Sequence, residues 1–280
     1  MTDLAQILRK ATQSLSRNSD TPLLDSQTLF AHVLDRPRAW VSAHPEFEPS
    51  ADESARLESA LQRLTKGEPL PYVIGQWEFF GLDFYVSPAT LIPRPETELL
   101  VEYALQWLGK SRRKMLAADI GTGCGCIAVA LSRNDLCVSV IASDISFQAL
   151  KVASRNVERH GCAGRISCIQ ADLIPPVSVP FDLIVANLPY IPTGVLRNLA
   201  VYGKEPDAAL DGGTDGLFVI RRMIDSALSC IAPGGLILLE IDPSQADSIQ
   251  ADLLQKLPTA DVRILRDLAH HDRLVAVQFH

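Results

Sequence analysis

The chain has 280 residues, of which 47% are hydrophobic and 21% are charged, and its formal net charge is −7. This composition is typical of a soluble globular protein, and the length predicts two unequal domains. We expect a cytoplasmic protein, because no run of about 18 apolar residues indicates a membrane span and the first residues lack a signal-peptide plan. The negative charge argues against a protein that coats nucleic acid through phosphate contacts. Six cysteines without a C-x-x-C pair predict reduced thiols and no metal site.

Residues 1–74 predict a small helical bundle. Apolar residues at helical spacing between Leu4 and Leu15 indicate a first helix, and Thr21 followed by a first-turn proline begins a second. A third helix begins at Ser50 with a capping box and ends at Gly67. We therefore expect residues 1–74 to form a separate domain.

A hairpin is predicted where this bundle ends. Pro69 and Pro71 break the helical pattern, and residues 76–80 and 84–87 have strand composition on either side of a connection at residues 81–83. We interpret residues 75–90 as a linker between the bundle and a second domain at residues 91–280.

Strands and helices alternate in the second domain. A helix is predicted at 96–108, with later helices at 147–160 and 217–231. Strands are predicted at 115–120, 138–143, 166–170, 181–186 and 236–241. Alternation of this kind indicates an α/β fold with a parallel sheet covered on both faces. The last two strands, 262–267 and 274–279, are separated by a short polar turn and are compatible with an antiparallel edge hairpin.

A glycine-rich stretch follows the first strand of this sheet. The side chain of Asp119 lies within the strand end, and the loop continues as Gly121, Thr122, Gly123, Cys124 and Gly125. Glycines at the carboxyl end of a parallel strand let a ligand approach the backbone. The loop therefore predicts a cofactor site, in which Asp119 is placed to bind an ammonium group.

Two further strand ends add candidate cofactor ligands. Asp144 ends the next strand, where a carboxylate can accept hydrogen bonds from both hydroxyls of a ribose. Asp172 and Leu173 follow the third strand, where an adenine would lie, and a place in the core is the alternative for Leu173. A nicotinamide dinucleotide is disfavoured, because its fingerprint requires Gly or Ala at the position of Cys126.

The tetrapeptide Asn187-Leu188-Pro189-Tyr190 ends the fourth strand at the same sheet edge. An amide or ring amino nitrogen is a poor nucleophile and must be oriented, with stabilisation of the charge that grows on it. The side-chain oxygen of Asn187 and the carbonyl of Leu188 can each accept one N–H of such a group. Pro189 restricts the backbone of Leu188, and Tyr190 offers an aromatic face to a planar acceptor. We interpret these four residues as the catalytic and substrate-binding motif, with Asn187 also beside the cofactor.

These features together resemble the release factor glutamine N5-methyltransferases (the PrmC/HemK family) over nearly the whole chain. The most specific part is VSPATLIPRPETE at residues 86–98. The resemblance implies a class I S-adenosylmethionine-dependent methyltransferase with a Rossmann-like, seven-stranded, mostly parallel sheet. It also implies a helical amino-terminal domain that helps to hold a class 1 release factor, and methylation of the glutamine in its Gly-Gly-Gln motif. On this resemblance Arg94 and Glu96 are candidate substrate-binding residues, with an ion pair that caps a helix as the alternative.

One residue departs from the family pattern: this chain has Leu188 where the family's usual Asn-Pro-Pro-Tyr has its first proline. The carbonyl assigned to catalysis is unchanged, so we expect activity to persist.

Two other functions remain open on the sequence. An amino-methyltransferase acting on adenine or guanine of DNA or RNA would use the same Asn187 chemistry. The charge of residues 1–74 disfavours this alternative, and it disfavours any direct contact with nucleic acid, because this part of the chain has eight basic against ten acidic residues. The second alternative, a noncatalytic binding module, is disfavoured by the presence of Asp119, Asp144 and Asn187 together. We expect a monomer.

Overall fold

The structure is a computed structural model that describes residues 3–111 and 113–280. The chain forms two compact units, Met1–Gln76 and Trp77–His280. Within the described ranges, none of the helices combines the length and apolar character required to cross a lipid bilayer.

The first unit is helical. Its helices are α1 (Leu4–Leu15), α2 (Pro22–Leu34), α3 (Arg38–Ala43), α4 (Ala51–Thr65) and α5 (Leu70–Ile74). They enclose a small apolar core that includes Leu29, Phe30 and Leu57. The capping box at Ser50 is present, with both of its reciprocal hydrogen bonds.

Two details of the predicted bundle were wrong. The short helix α3 was not predicted. The prolines near residue 70 do not end helical structure, because Pro69 is the N-cap of α5 and Pro71 lies in its first turn. Proline is tolerated there, since the first amide groups of a helix have no intrahelical acceptor.

The hairpin consists of β1 (Gln76–Phe79) and β2 (Leu82–Tyr85). The predicted connection at 81–83 was wrong, because the turn residues are Phe80 and Gly81, with φ of 54° and 71°. Positive φ at both central residues is the two-residue turn that matches the twist of a hairpin. The boundary between the two compact units falls inside β1, between Gln76 and Trp77.

The second unit contains the predicted sheet. After a 3₁₀ turn at Pro95–Thr97, the elements in chain order are α6 (Glu98–Leu108), β3 (Met115–Ile120), α7 (Cys126–Asn134), β4 (Val138–Asp144), α8 (Phe147–Arg159), β5 (Ile166–Gln170), β6 (Phe181–Ala186), α9 (Thr193–Leu196), α10 (Phe218–Ala227), β7 (Ile231–Glu240), α11 (Ala246–Lys256), β8 (Asp261–Arg266) and β9 (Asp272–Gln278).

The strand order of this sheet is β5-β4-β3-β6-β7-β9-β8. The first five strands are parallel, and β9 is antiparallel to both of its neighbours. The fold class predicted from the sequence is therefore confirmed. The predicted helix at 217–231 was too long, because α10 ends at Ala227 and residue 231 already belongs to β7.

The direction of strand addition reverses beside β3, because the chain runs outward through β4 and β5 and then returns to add β6 on the other side. Ligands of open α/β sheets bind outside the carboxyl ends of the strands at such a reversal. Every residue of β6 is buried. The strand ends at this point are therefore held rigidly by the core beneath them.

Candidate active site

A cavity of about 300 Å³ lies at the carboxyl ends of β3, β4, β5 and β6. We call it the strand-end cavity. It brings together most of the site residues proposed from the sequence: Arg94, Gly121, Thr122, Gly123, Cys124, Asp144, Asp172, Leu173, Asn187, Leu188 and Pro189. Glu96, Asp119, Gly125 and Tyr190 are not among its lining residues.

The loop at residues 121–125, called the glycine loop below, needs glycine for two reasons. Gly121, Gly123 and Gly125 all have positive φ, between 56° and 82°. A Cβ on Gly121 would lie 2.9 Å from Cδ2 of Leu188, so the loop also packs directly against the tetrapeptide at residues 187–190. A Cβ on Gly123 would meet nothing within 4 Å, so the backbone there faces open space. Gly125 is the N-cap of α7.

Asp119 lies behind the glycine loop and is fully buried. Its Oδ2 accepts hydrogen bonds from the hydroxyl of Thr122 at 2.6 Å and from the amide of Ala128 at 3.1 Å. Its Oδ1 has no hydrogen-bond partner among the described residues. Burial raises the pKa of this carboxyl to about 6, against the opposing effect of the two hydrogen bonds. A buried acid with one unused oxygen attracts a nearby cation.

Asp144 lines the strand-end cavity from the end of β4. Its Oδ2 accepts from the amide of Gly123 at 2.9 Å, and its Oδ1 accepts from the amide of Ser146 at 2.8 Å. Each carboxylate oxygen has a second lone pair, so both can still accept a ligand hydroxyl. Burial raises the pKa of Asp144, while these backbone hydrogen bonds lower it.

Asp172 and Leu173 close another side of the cavity. The carboxylate of Asp172 is paired with Arg222 of α10 at 2.7 Å, and both side chains are about half exposed. Leu173 has φ of 66°, and its carbonyl accepts from the hydroxyl of Ser143 at 2.8 Å. A hydrogen bond to buried Ser143 holds a backbone conformation that leucine rarely adopts.

The side chain of Asn187 is hydrogen-bonded to Thr97, which lies just before α6. Its Nδ2 donates to Oγ1 of Thr97 at 2.9 Å. The Thr97 hydroxyl in turn donates to Oε2 of Glu240, at the end of β7, at 2.6 Å. Thr97 and Glu240 are both buried. Thr97 therefore holds the amide of Asn187, and Glu240 holds Thr97. Neither residue was predicted from the sequence to belong to the site.

Tyr190 faces the same carboxylate. Its hydroxyl lies 3.4 Å from Oε1 of Glu240, and its carbonyl accepts from Nε2 of Gln245 at 2.8 Å. Burial, followed by the negative charge of Glu240, raises the pKa of the Tyr190 hydroxyl, which therefore stays protonated. Tyr190 packs against the core in this structure, and its aromatic face does not line the strand-end cavity.

Arg94 forms an ion pair across the cavity wall with buried Glu205, rather than with Glu96. The second oxygen of Glu205 accepts from the amide of Ile92 at 3.0 Å. Glu96 is exposed. Arg94 is therefore a wall residue of the cavity, and the alternative of an Arg94–Glu96 ion pair was wrong.

Asn156 of α8 is a further residue that sequence reasoning missed. It is fully buried and bonds the amide and carbonyl of Tyr85, at 2.8 and 2.9 Å, and the carbonyl of Cys124 at 2.8 Å. It therefore links the hairpin to the glycine loop. No spacing in the sequence marks this residue, whereas Glu240 could have been found by its place at the end of a parallel strand.

The residues present suit a nucleoside that carries positive charge. Asp144 offers two acceptors at the strand end where a ribose binds, and the glycine loop leaves open space beside it. The unused oxygen of Asp119 supplies negative potential behind that loop. The donor and acceptor set thus fits S-adenosylmethionine, which combines a ribose with a sulfonium and an ammonium group.

The chain matches two family models and several curated relatives. The model of the PrmC N-terminal domain matches residues 6–75, and that of the methyltransferase small domain matches residues 96–201. A release factor glutamine methyltransferase of Moorella thermoacetica is 38% identical over 276 residues, covering 96% of each chain. One of Coxiella burnetii is 35% identical, covering 99% of each chain.

A solved structure of low sequence identity shares the fold. The hMettl16 catalytic domain, in complex with MAT2A 3′UTR hairpin 1, is 14% identical with a TM-score of 0.59, covering 90% of this chain and 91% of that one. The identity and coverage of the relatives show that the chain belongs to the release factor glutamine methyltransferase family, whose methyl donor is S-adenosylmethionine.

Proposed function

We propose that this protein transfers the methyl group of S-adenosylmethionine to the side-chain amide nitrogen of the glutamine in the Gly-Gly-Gln motif of class 1 release factors. The observation that carries the proposal is the fixed amide of Asn187 at the wall of the strand-end cavity, beside the glycine loop. Relatives named release factor glutamine methyltransferase, which match over nearly their whole length, support the choice of a release factor as the substrate.

The chemistry that the site must perform is the orientation of a weak nucleophile. S-adenosylmethionine would supply an electrophilic methyl group on sulfur: its S–CH₃ bond breaks as the N–CH₃ bond forms, S-adenosylhomocysteine leaves as the neutral thioether, and the substrate nitrogen loses one proton to water. The Nδ2 of Asn187 is bonded to Thr97, so its Oδ1 is the atom left to accept one N–H of the substrate amide. The carbonyl of Leu188 accepts the other. We call these two oxygens the amide clamp; they stabilise the positive charge that develops on the nitrogen.

Leu188 suits this role although the family's usual residue is proline. Its side chain is buried and packs against Gly121, which ties the clamp to the glycine loop. Side-chain packing thereby restricts the backbone of Leu188, where a proline ring would restrict it covalently. The following Pro189 adds a further limit on the Leu188 carbonyl.

The test is mass spectrometry of a purified release factor after incubation with the protein and S-adenosylmethionine. One methyl group on the Gly-Gly-Gln glutamine is expected. Asn187→Ala should lower the single-turnover rate roughly a hundredfold or more, with a smaller change in cofactor affinity. Asn134→Ala, at an exposed helix end, is the control. Methylation of another residue, or none, would contradict the proposal.

The helical unit is proposed to help hold the release factor. Its surface has a groove of about 610 Å³ between α1, α2 and α3, lined by apolar and polar side chains that include Leu23. Leu23→Glu should raise KM for a whole release factor while leaving KM for a short Gly-Gly-Gln peptide unchanged. Leu254→Glu, with a similar exposed fraction (50% against 51%), is the control. An equal KM for the whole release factor in both variants would exclude the groove.

A site with this chemistry can also methylate an amino group of a nucleic-acid base. We propose that this protein does not bind nucleic acid directly. The amino-terminal unit has more acidic than basic residues, and this net negative charge disfavours the phosphate contacts that nucleic-acid binding requires. We propose that the protein acts as a monomer in the cytoplasm, where release factors work.

A further inference from the structure

Three side chains from distant parts of the second unit form a continuous row of hydrogen bonds. Asn187 follows β6, Thr97 precedes α6, and Glu240 ends β7. We propose that Thr97 and Glu240 are positioning residues that hold the Asn187 amide in its productive orientation and strengthen its oxygen as an acceptor. This inference rests on the proposed function, in which that oxygen binds the substrate amide.

The directions of the bonds follow from which groups can donate. An ionised carboxylate only accepts, so the Thr97 hydroxyl must donate its one proton to Glu240. The Thr97 oxygen can then only accept, and the NH₂ group of Asn187 is its donor. A flipped amide would place Oδ1 of Asn187 against an oxygen that has no proton to share. The row therefore permits one amide orientation, with Oδ1 free for substrate.

Burial is the largest effect on Glu240 and raises the pKa of this carboxyl above its ordinary value, whereas the groups in contact with it favour the ionised form. Its Oε1 faces the hydroxyl of Tyr190, a second possible donor. Burial raises the pKa of Glu240, whereas the Thr97 hydrogen bond, the positive charge of Arg273 and the Tyr190 hydroxyl lower it; the charge of Glu96 adds a smaller upward effect. All nearby groups that are bonded to the carboxylate can donate to it.

The row also strengthens the clamp. Each bond in a chain of hydrogen bonds polarises the next, and here the chain ends in a buried negative charge. Electron density is shifted toward Oδ1 of Asn187, which is the atom that meets the growing positive charge on the substrate nitrogen. Thr97 lines the strand-end cavity, but its hydroxyl is bonded to Asn187 and Glu240, so Thr97 and Glu240 would act on turnover through Asn187.

A double-mutant cycle tests this mechanism. Thr97→Val keeps the shape of the side chain but removes the hydroxyl, and we expect the single-turnover rate to fall roughly 10- to 100-fold with cofactor affinity changed less than about threefold. Thr97→Ser should restore most of the lost rate. On an Asn187→Ala background, Thr97→Val should cost nothing further, because the group through which it acts is absent. Thr259→Val, in an exposed turn, is the matched control.

A variant of Glu240, at the other end of the row, tests the same mechanism if Thr97→Val fails to fold. Glu240→Gln retains an acceptor for Thr97 and removes the charge, so its rate should lie between those of the parent and Thr97→Val, and its effect should also vanish on the Asn187→Ala background. Additive losses in either cycle would overturn the relay and assign both residues to fold stability. Failure of the parent protein to methylate the glutamine would instead overturn the proposed function, so the two failures are distinguishable.

Discussion

The buried carboxyl of Asp119 predicts a proton linkage in cofactor binding. Its pKa of about 6 is roughly two units above the ordinary value for aspartate, which corresponds to about 3 kcal/mol against its ionised form. A cationic ligand beside the glycine loop favours that ionised form and lowers the pKa. Binding should therefore expel the proton that the free protein holds at low pH.

The expected size follows from the titration of one group. At pH 6 the free protein holds about half a proton on Asp119, and at pH 5 about 0.9, so binding of S-adenosylmethionine should release up to these amounts. Affinity should fall by up to about tenfold per pH unit below 6. Asp119→Asn removes this release. The release that remains in the variant comes from other groups such as Asp144, whose pKa is also raised and whose charge raises the pKa of Asp119.

The measurement is titration calorimetry at pH 5, 6 and 7 in two buffers of different ionisation enthalpy. The difference in proton release between the parent and Asp119→Asn measures the release that depends on the Asp119 carboxyl. Equal release by both proteins at pH 5 would refute the linkage.

The same shift has a consequence for stability in the absence of cofactor. A carboxyl whose pKa is raised by folding stabilises the protein below its unfolded pKa and loses that contribution as pH rises through the folded value. Asp119→Asn should therefore gain up to about 3 kcal/mol of unfolding free energy relative to the parent between pH 4 and pH 7. The NH₂ group of the new asparagine would stand at the position of Oδ1 without a hydrogen-bond partner. This costs roughly 1–3 kcal/mol of unfolding free energy at every pH and offsets part of the gain.

Three substitutions test other parts of the site. Asp144→Ala should raise the dissociation constant for S-adenosylmethionine tenfold or more, because charge-assisted hydrogen bonds contribute about 1.5–3 kcal/mol each; unchanged affinity by calorimetry would remove Asp144 from the site. Gly121→Ala should lower both Tm and turnover, since it adds left-handed strain of roughly 1–2 kcal/mol and a contact with Leu188; a parent-like rate would show that the glycine loop and the clamp move independently. Leu188→Pro should remain active within about tenfold in single-turnover assays, because the carbonyl is retained, and a larger loss would mean that a proline ring cannot replace the packing of the Leu188 side chain on Gly121.

Local patterns carried most of the fold prediction, for reasons visible in particular elements. The apolar residues of β6 and the capping box at Ser50 depend on near neighbours in the chain, so their structure follows from sequence spacing. The turn at Phe80 and Gly81 was misplaced because a non-glycine residue takes a left-handed conformation there. Strand composition alone does not reveal that conformation.

The sequence by itself determined the strand ends at which Gly121, Asp144 and Asn187 lie, because parallel strands bring their carboxyl ends to one edge whatever surrounds them. Only the tertiary structure decided which partners hold those residues. Thr97 and Glu240 are separated from Asn187 by 90 and 53 positions, and no periodicity links residues so far apart. Their contact exists because β6 and β7 are neighbours in the sheet and the start of α6 packs at the end of β7. Hydrogen bonds of this kind are set by where folded elements meet, which is why the row behind Asn187 could not be read from the chain.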